Sequence, residues 1–282
     1  MILIVDNYSE SDIINISQVM ETVLYHGNVQ NRHESSNGRY YIMYQLKLTF
    51  QTENNILPRE LDRLIISFFK AAAENYSQEF FNCLYDKSKS ILKTFTYSCY
   101  LPGAHFQEEN IVLSQNRFCV FFSDVNLGQL IQFLNAFKLM KFKKYSMNQN
   151  SMNLISIQTQ KRDKITDSEI VVKMQGALLV RRHCSEDNTD VYYSYQDSEF
   201  SKVLKENVEI FLEKLGMNLS TDGFSIEVVK GKKVVVPVFG RNTDASLGVY
   251  KIKGNPELLN VLYLSGMGVR RSEGHGKFEI VS

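Results

Sequence analysis

Apolar and polar residues alternate along YYIMYQLKLTFQ, residues 40–51, with Tyr, Ile and Phe among the apolar positions. A period of two, rich in aromatic and β-branched side chains, predicts a strand. The period then lengthens. Leu61, Leu64, Ile65, Phe68, Phe69 and Ala72 recur at helical spacing behind Leu57 and Pro58. A helix is therefore predicted to open at 57–58, with the proline in its first turn. Residues 78–85 continue the crossover as a second helical stretch. Residues 92–99 and 117–123 read as strands, 127–141 as an amphipathic helix with a basic end, and 153–160 as a returning strand.

The same order recurs downstream. Residues 169–183 read as one long strand. A helix over 197–215 carries Phe200, Val203, Leu204, Val208, Phe211 and Leu212 on one face, and Gly216 stops it. Residues 224–230, 234–239 and 249–253 read as short strands. The helix over 255–264 has Asn255 as its cap and Pro256 at its first position. Residues 277–281 close the sheet. A β-α-β-β-α-β order met twice predicts an α+β chain of two tandem ferredoxin-like (RRM-like) domains, 40–165 and 166–282, divided near the polar segment RDKITD at 162–167. Residues 1–39 fit neither unit and read as an N-terminal appendage, with a helix over 12–25 and a polar loop over 27–39.

Composition narrows the class without naming a chemistry. Apolar residues make up 44% and charged residues 22% of the 282, which argues against wholesale disorder. No apolar run reaches the roughly 18 residues of a membrane span, and the first ten residues lack the basic and apolar regions of a secretory leader. Four scattered cysteines without a C-x-x-C pair read as reduced, mostly buried thiols of a cytoplasmic protein. Net charge is +1, from 32 basic and 31 acidic residues, so a polyanion would have to meet a local basic patch. No set of His, Asp and Glu has metal-ligand spacing, so no metal or other cofactor is expected.

The densest motif lies near the C-terminus: Gly266-Met267-Gly268-Val269-Arg270-Arg271-Ser272-Glu273-Gly274-His275-Gly276. Four glycines in eleven residues exceed what leaving a helix requires. Glycine permits positive φ and close backbone approach, and successive amides in such a loop can form an anion-binding nest. Arg270 and Arg271 are suited to phosphate. From residue 225 to 282 nine Lys and Arg stand against five Asp and Glu. The same glycines would equally serve a turn packed against a neighbouring domain. The pattern is not a mononucleotide P-loop, because it follows a helix, precedes a strand and has no G-K-[ST] ending.

This loop, with the segment KGNPELLNVLYLSGMGVRRSEGHGKFEIV around it, resembles the CRISPR repeat-processing endoribonucleases of the repeat-associated RNA-binding superfamily. Phe95-Thr96-Tyr97-Ser98 is similar to that family's "FTFS" strand, and GALLVRRH with YYSYQDSEFSKVLKENVEIFLEKLG to the start of its second domain. The resemblance implies tandem ferredoxin-like domains and cleavage of CRISPR precursor RNA without a metal. In that chemistry a ribose 2′-hydroxyl attacks the adjacent phosphate, leaving 5′-hydroxyl and 2′,3′-cyclic phosphate ends. It also admits non-catalytic repeat-RNA binders and subunits of CRISPR effector complexes. The partner implied in each case is repeat RNA, precursor or mature guide, with no membrane.

Such cleavage needs a base at the 2′-hydroxyl, a proton for the leaving oxygen and positive charge at the phosphate. Where the family commonly places a histidine, ahead of the "FTFS" strand, this chain has Tyr85. A tyrosine is a poor base at neutral pH unless cations depress its pKa, and Lys87 and Lys89 are near enough in sequence to do so. A plain helix-end aromatic with two solvated lysines is the competing reading. His105, in LPGAHF, is the alternative imidazole. His26 and His33 lie in the appendage. His183 follows Arg181 and Arg182. The RNA-binding set expected from the glycine loop is Gly266, Gly268, Arg270, Arg271, Gly274, His275 and Gly276. Lys232 and Lys233 join it from a predicted KGKK hairpin. A further basic cluster, Lys138, Lys141, Lys143 and Lys144, is interleaved with Phe137, Phe142 and Tyr145. Phosphate contacts and base stacking are what such a mixture offers.

Overall fold

A computed structural model describes residues 43–147, 149–238 and 240–282. The expected appendage, with His26 and His33, lies outside the described residues. The first sheet has the order β3-β6-β1-β8-β7, all neighbours antiparallel, from β1 (Met43–Thr52), β3 (Phe95–Tyr100), β6 (Arg117–Asp124), β7 (Lys144–Met147) and β8 (Asn150–Arg162). Helices α1 (Leu61–Tyr76), α2 (Gln78–Tyr85) and α3 (Leu127–Met140) provide its crossovers. Local chemistry sets their ends. Ser77 Oγ accepts the Phe80 amide at 3.0 Å to start α2, and Asn126 Oδ1 accepts the Gln129 amide at 3.1 Å to start α3. Phe50, Phe68, Phe69, Phe95, Phe122, Phe133 and Phe137 fill the space between this sheet and its helices. Each such ring buried contributes about 1.5–3 kcal/mol.

The second sheet has the order β12-β13-β9-β14, from β9 (Glu169–Met174), β12 (Ser225–Val238), β13 (Arg241–Lys253) and β14 (Phe278–Ile280). Helices α4 (Phe200–Leu215) and α5 (Pro256–Ser265) connect them, α4 ending at Gly216 with φ 65° and α5 capped by Asn255 Oδ1 on the Glu257 amide at 2.8 Å. Both sheets therefore have the strand order of a ferredoxin-like domain, and the fold is a tandem pair, as expected from the periodicity.

Four expectations are corrected. Residues 56–58 form a short strand, β2 (Ile56–Pro58), paired with β5 (Asn110–Val112), and the helix opens at Leu61; Pro58 sits at an edge where a missing N–H costs little. The long strand over 169–183 divides. The chain leaves the sheet at Gln175-Gly176, because Gly274 runs against Gly176 with no room for a side chain, and resumes as a separate hairpin, β10 (Val180–Cys184) with β11 (Thr189–Tyr193). Residues 225–253 form one long hairpin instead of short strands, and the KGKK segment lies in the middle of β12, far from the turn. Finally, among the cysteines only Cys99 is buried; Cys119 and Cys184 are half-buried and Cys83 is exposed.

The two sheets meet through a polar row. On the face of the first sheet away from its helices, Thr96, Ser123, Gln45 and Gln160 stand side by side in register across four strands. All are almost fully buried. Ser123 Oγ donates to the Leu264 carbonyl at the end of α5 at 2.9 Å, Lys277 Nζ donates to Ser123 Oγ at 2.8 Å, and Thr96 Oγ1 donates to the His275 carbonyl at 3.4 Å. This explains the FTYS strand. Phe95 and Tyr97 point into the core, while Thr96 and Ser98 are short enough to let the second domain's backbone reach the sheet.

The loop between α5 and β14 closes on itself at this contact. Gly276 has φ 71°, and a Cβ there would overlap the Met267 carbonyl oxygen; Met267 N donates to the Gly276 carbonyl at 2.9 Å. At Gly216, by contrast, φ is also positive but the surrounding space is open. Gly276→Ala is expected to lower unfolding free energy by more than about 3 kcal/mol, and Gly216→Ala by about 1 kcal/mol. Urea unfolding of the two variants measures the difference.

Candidate functional site: a cleft beside the glycine loop

The structure corrects the expectation of an exposed, phosphate-gripping loop. Gly266 and Gly268 are buried, Gly266 against Thr96 and Gly268 against the Leu179 carbonyl, and Gly274 faces the Tyr97 ring. The amides of Met267, Val269, Glu273, Gly274 and Gly276 already donate to protein carbonyls. Arg271 is 9% exposed, with its guanidinium 3.3 Å from the centroid of the Phe211 ring, and burial pushes its pKa down to about 9. Arg270 pairs with Glu273 at 3.1 Å, and Tyr192 is beside it. His275 is buried, its Nδ1 has no partner, and its pKa is pushed down to about 4, so it is neutral at physiological pH. The motif is a clasp between domains.

Because the loop docks there, its short 3-10 turn (Arg271–Glu273) forms one wall of a cleft of about 480 Å³. Ser272 and Glu273 stand on that wall. Arg63, Ile66 and Lys70 of α1 line another, and Tyr85, Asp86, Lys87, Lys89 and Lys93 come from the end of α2 and the segment after it. The tip of the β12–β13 hairpin contributes Pro237, Val238 and Gly240. That hairpin reaches past its own sheet: β9 pairs only with Val249–Lys253 of β13.

Tyr85 lines this cleft, but not in the state of a base. Its hydroxyl is buried without a hydrogen-bond partner, and burial holds its pKa well above the ordinary tyrosine value. The expected depression by Lys87 and Lys89 is absent. Both are exposed, and Lys89 pairs with Asp86 at 3.5 Å. Two other lysines take the ring instead: Lys93 Nζ lies 5.0 Å and Lys70 Nζ 5.4 Å from its centroid. Lys93 is half-buried, and burial, with the Lys70 charge adding to it and Glu273 opposing it, lowers its pKa.

Lys70 and Lys93 were missed by sequence reading, although Arg63, Ile66 and Lys70 at i, i+3 and i+7 share one helix face. His105 stands exposed on β4 (His105–Phe106), and its neighbour Phe106 lines a separate groove, so the structure does not bring His105 to Tyr85. Lys232 and Lys233 lie along the hairpin arm, Lys233 paired with Asp244 at 2.8 Å. His183 Nδ1 is 2.9 Å from Asp190, on the β10–β11 hairpin. Among the described residues no group of His, Cys, Asp and Glu could hold a metal ion, and no helix is long and apolar enough to cross a membrane.

Residues 158–280 match the family model described as CRISPR associated protein Cas6, C-terminal. This matched stretch, less than half of the chain, is similar to that family's C-terminal domain. Solved structures extend the likeness over both domains. The protein of a Cas6-related gene from Pyrococcus furiosus has a TM-score of 0.75 at 15% identity, covering 85% of this chain and 99% of that one. A RAMP protein described as binding different RNA substrates has a TM-score of 0.73 at 17% identity, covering 85% and 100%. A Cas6 product complex has a TM-score of 0.60 at 12% identity, with the same coverage. At these identities the likeness is one of fold. No curated protein is detectably similar in sequence.

The matched stretch includes Lys277, which anchors the clasp on Ser123. Lys277 is fully buried, and burial pushes its pKa down to about 8 from 10.5. Between those values the unfolded chain holds a proton that the folded Lys277 does not, so the unfolding free energy rises with pH across that window. Lys277→Met removes the rise. Urea unfolding of both proteins at pH 7 and pH 10 should show the stability difference growing in favour of wild type by on the order of 2 kcal/mol; a constant difference contradicts the assignment.

Proposed function

We propose that this chain binds CRISPR repeat RNA across the cleft and cuts it once within each repeat, by attack of a ribose 2′-hydroxyl on the neighbouring phosphate. The products are a 5′-hydroxyl and a 2′,3′-cyclic phosphate. The observation that carries the reading is the pairing of Lys70 and Lys93 over Tyr85, beside the clasp of a domain similar to the Cas6 C-terminal model. Two ammonium groups there offset charge on the pentacoordinate phosphate. The 2′-hydroxyl gives up its proton to solvent water as its oxygen bonds to phosphorus, and Lys93, with its lowered pKa, donates a proton to the departing 5′-oxygen as the P–O5′ bond breaks. Tyr85 keeps its own proton and acts through its ring, which holds both lysines in place. Lys87, Lys89 and Arg63 at the rim supply salt-sensitive phosphate contacts.

One observation favours a second reading, a repeat-RNA binder or effector-complex subunit that does not cut. Among the described residues lining the cleft there is no imidazole, and the tyrosine in its place cannot serve as a base. Incubation with the host's repeat RNA in EDTA separates the two. A single cut with a cyclic-phosphate end supports cleavage, whereas tight binding of RNA that stays intact supports the binder. For the enzyme, Lys93→Met should slow the cut by about 100-fold or more. Tyr85→Phe, which keeps the ring, should cost less than about tenfold, and His105→Ala should leave the rate unchanged.

A further inference from the structure

The turn that follows α3 holds an arrangement that the cleft does not use. Phe142 is 68% exposed, the most exposed of the large apolar side chains among the described residues. Its backbone is also left-handed, with φ 63°. A bulky residue rarely adopts that conformation, which costs on the order of 1 kcal/mol or more, and glycine would relieve it. The neighbours enforce it. Phe142 N donates to the Leu154 carbonyl at 2.9 Å and Lys143 N to the Met140 carbonyl at 3.1 Å. A strained position thus spends its strain on holding an aromatic ring out in water.

The ring is surrounded by positive charge. Residues 138–147 contain four lysines and no acidic residue. Lys144 pairs with Glu53 at 3.2 Å, while among the described residues Lys138, Lys141 and Lys143 make no ion pair. Lys141 Nζ lies 4.8 Å from the Phe142 ring centroid, over one face. An exposed aromatic with cations around it fits a nucleobase and its phosphates. Among occupants that would meet both ring and charge, RNA is the partner already proposed for the cleft of the same domain.

We propose that Phe142, with Lys138, Lys141 and Lys143, is a second RNA surface: a platform on which one unpaired base of a single strand stacks while the lysines hold the adjoining phosphates. It lies at the β7 edge of the first sheet, four strand spacings from the β3 edge where Lys93 enters the cleft, or roughly 20 Å away. The inference rests on the repeat-RNA reading and extends it to the unpaired sequence flanking the cut.

The chain contains no tryptophan, so Phe142→Trp creates a unique fluorescent reporter. The full-length variant is titrated with labelled oligouridine of about 12 nucleotides and with repeat RNA carrying its single-stranded flanks, following emission and anisotropy together. Saturable quenching that weakens with salt supports the platform. RNA bound by anisotropy with unchanged emission overturns it and leaves the repeat-RNA reading standing. Quenching by oligouridine without any binding of repeat RNA supports the platform and removes the repeat reading; binding of neither removes both. Phe142→Gly provides the companion test. It should weaken oligouridine binding by about 5- to 100-fold, the range for one stacked base, while thermal stability holds or rises. A fall in stability would mark the ring as packing and overturn the proposal.

Discussion

The architecture depends on a contact between side chains that are short and a backbone that is bare. Thr96 and Ser123 present hydroxyls on a sheet face that would otherwise be covered by apolar residues, and the second domain answers with the carbonyls of Leu264 and His275 and the ammonium of Lys277. Buried polar groups of this kind are stable only as a satisfied set. Removing one hydroxyl strands a carbonyl or a charge, so the contact fixes one docking arrangement and disfavours near alternatives. Glycine is the other half of the arrangement: a side chain at 266 or 274 would meet Thr96 or Tyr97 of the sheet, and one at 268 or 276 would meet the Leu179 or Met267 carbonyl of the loop's own domain.

The cleft is a consequence of that docking. Ser272 and Glu273 face α1 and Tyr85 only because the loop on either side of them is pinned, and the hairpin tip arrives from the same domain. The cleft therefore sits next to the glycine motif, while the motif itself packs the two domains together. Arg271 illustrates the division: its guanidinium is placed where a phosphate ligand would be expected from sequence, yet it is spent on the Phe211 ring.

Local signals were legible. Asn255-Pro256, Gly216 and the apolar spacing of α1 each determine an element end or face within a few residues, and the periodicity gave both ferredoxin-like repeats. What was not legible depended on partners distant in sequence. Glycine-rich loops look alike whether they cradle an anion or another backbone, since the conformational need is the same. The long strand expected over 169–183 breaks because of a loop about a hundred residues further on. Lys93 was hidden as an interior residue of a predicted strand, and its chemistry comes from Lys70, Glu273 and burial, none of them adjacent to it. Tyr85 was found by position, but its burial reversed the sign of the shift expected for it.

The salt dependence of repeat-RNA affinity, measured for two double variants against wild type, tests the central division between cleft and clasp most directly. With Lys70→Met and Lys93→Met, the slope of log affinity against log salt should shrink by about one to two while thermal stability is kept. With Arg270→Ala and Arg271→Ala, the slope should match wild type and the melting temperature should fall. A slope reduced by the arginine pair and untouched by the lysine pair would contradict the account.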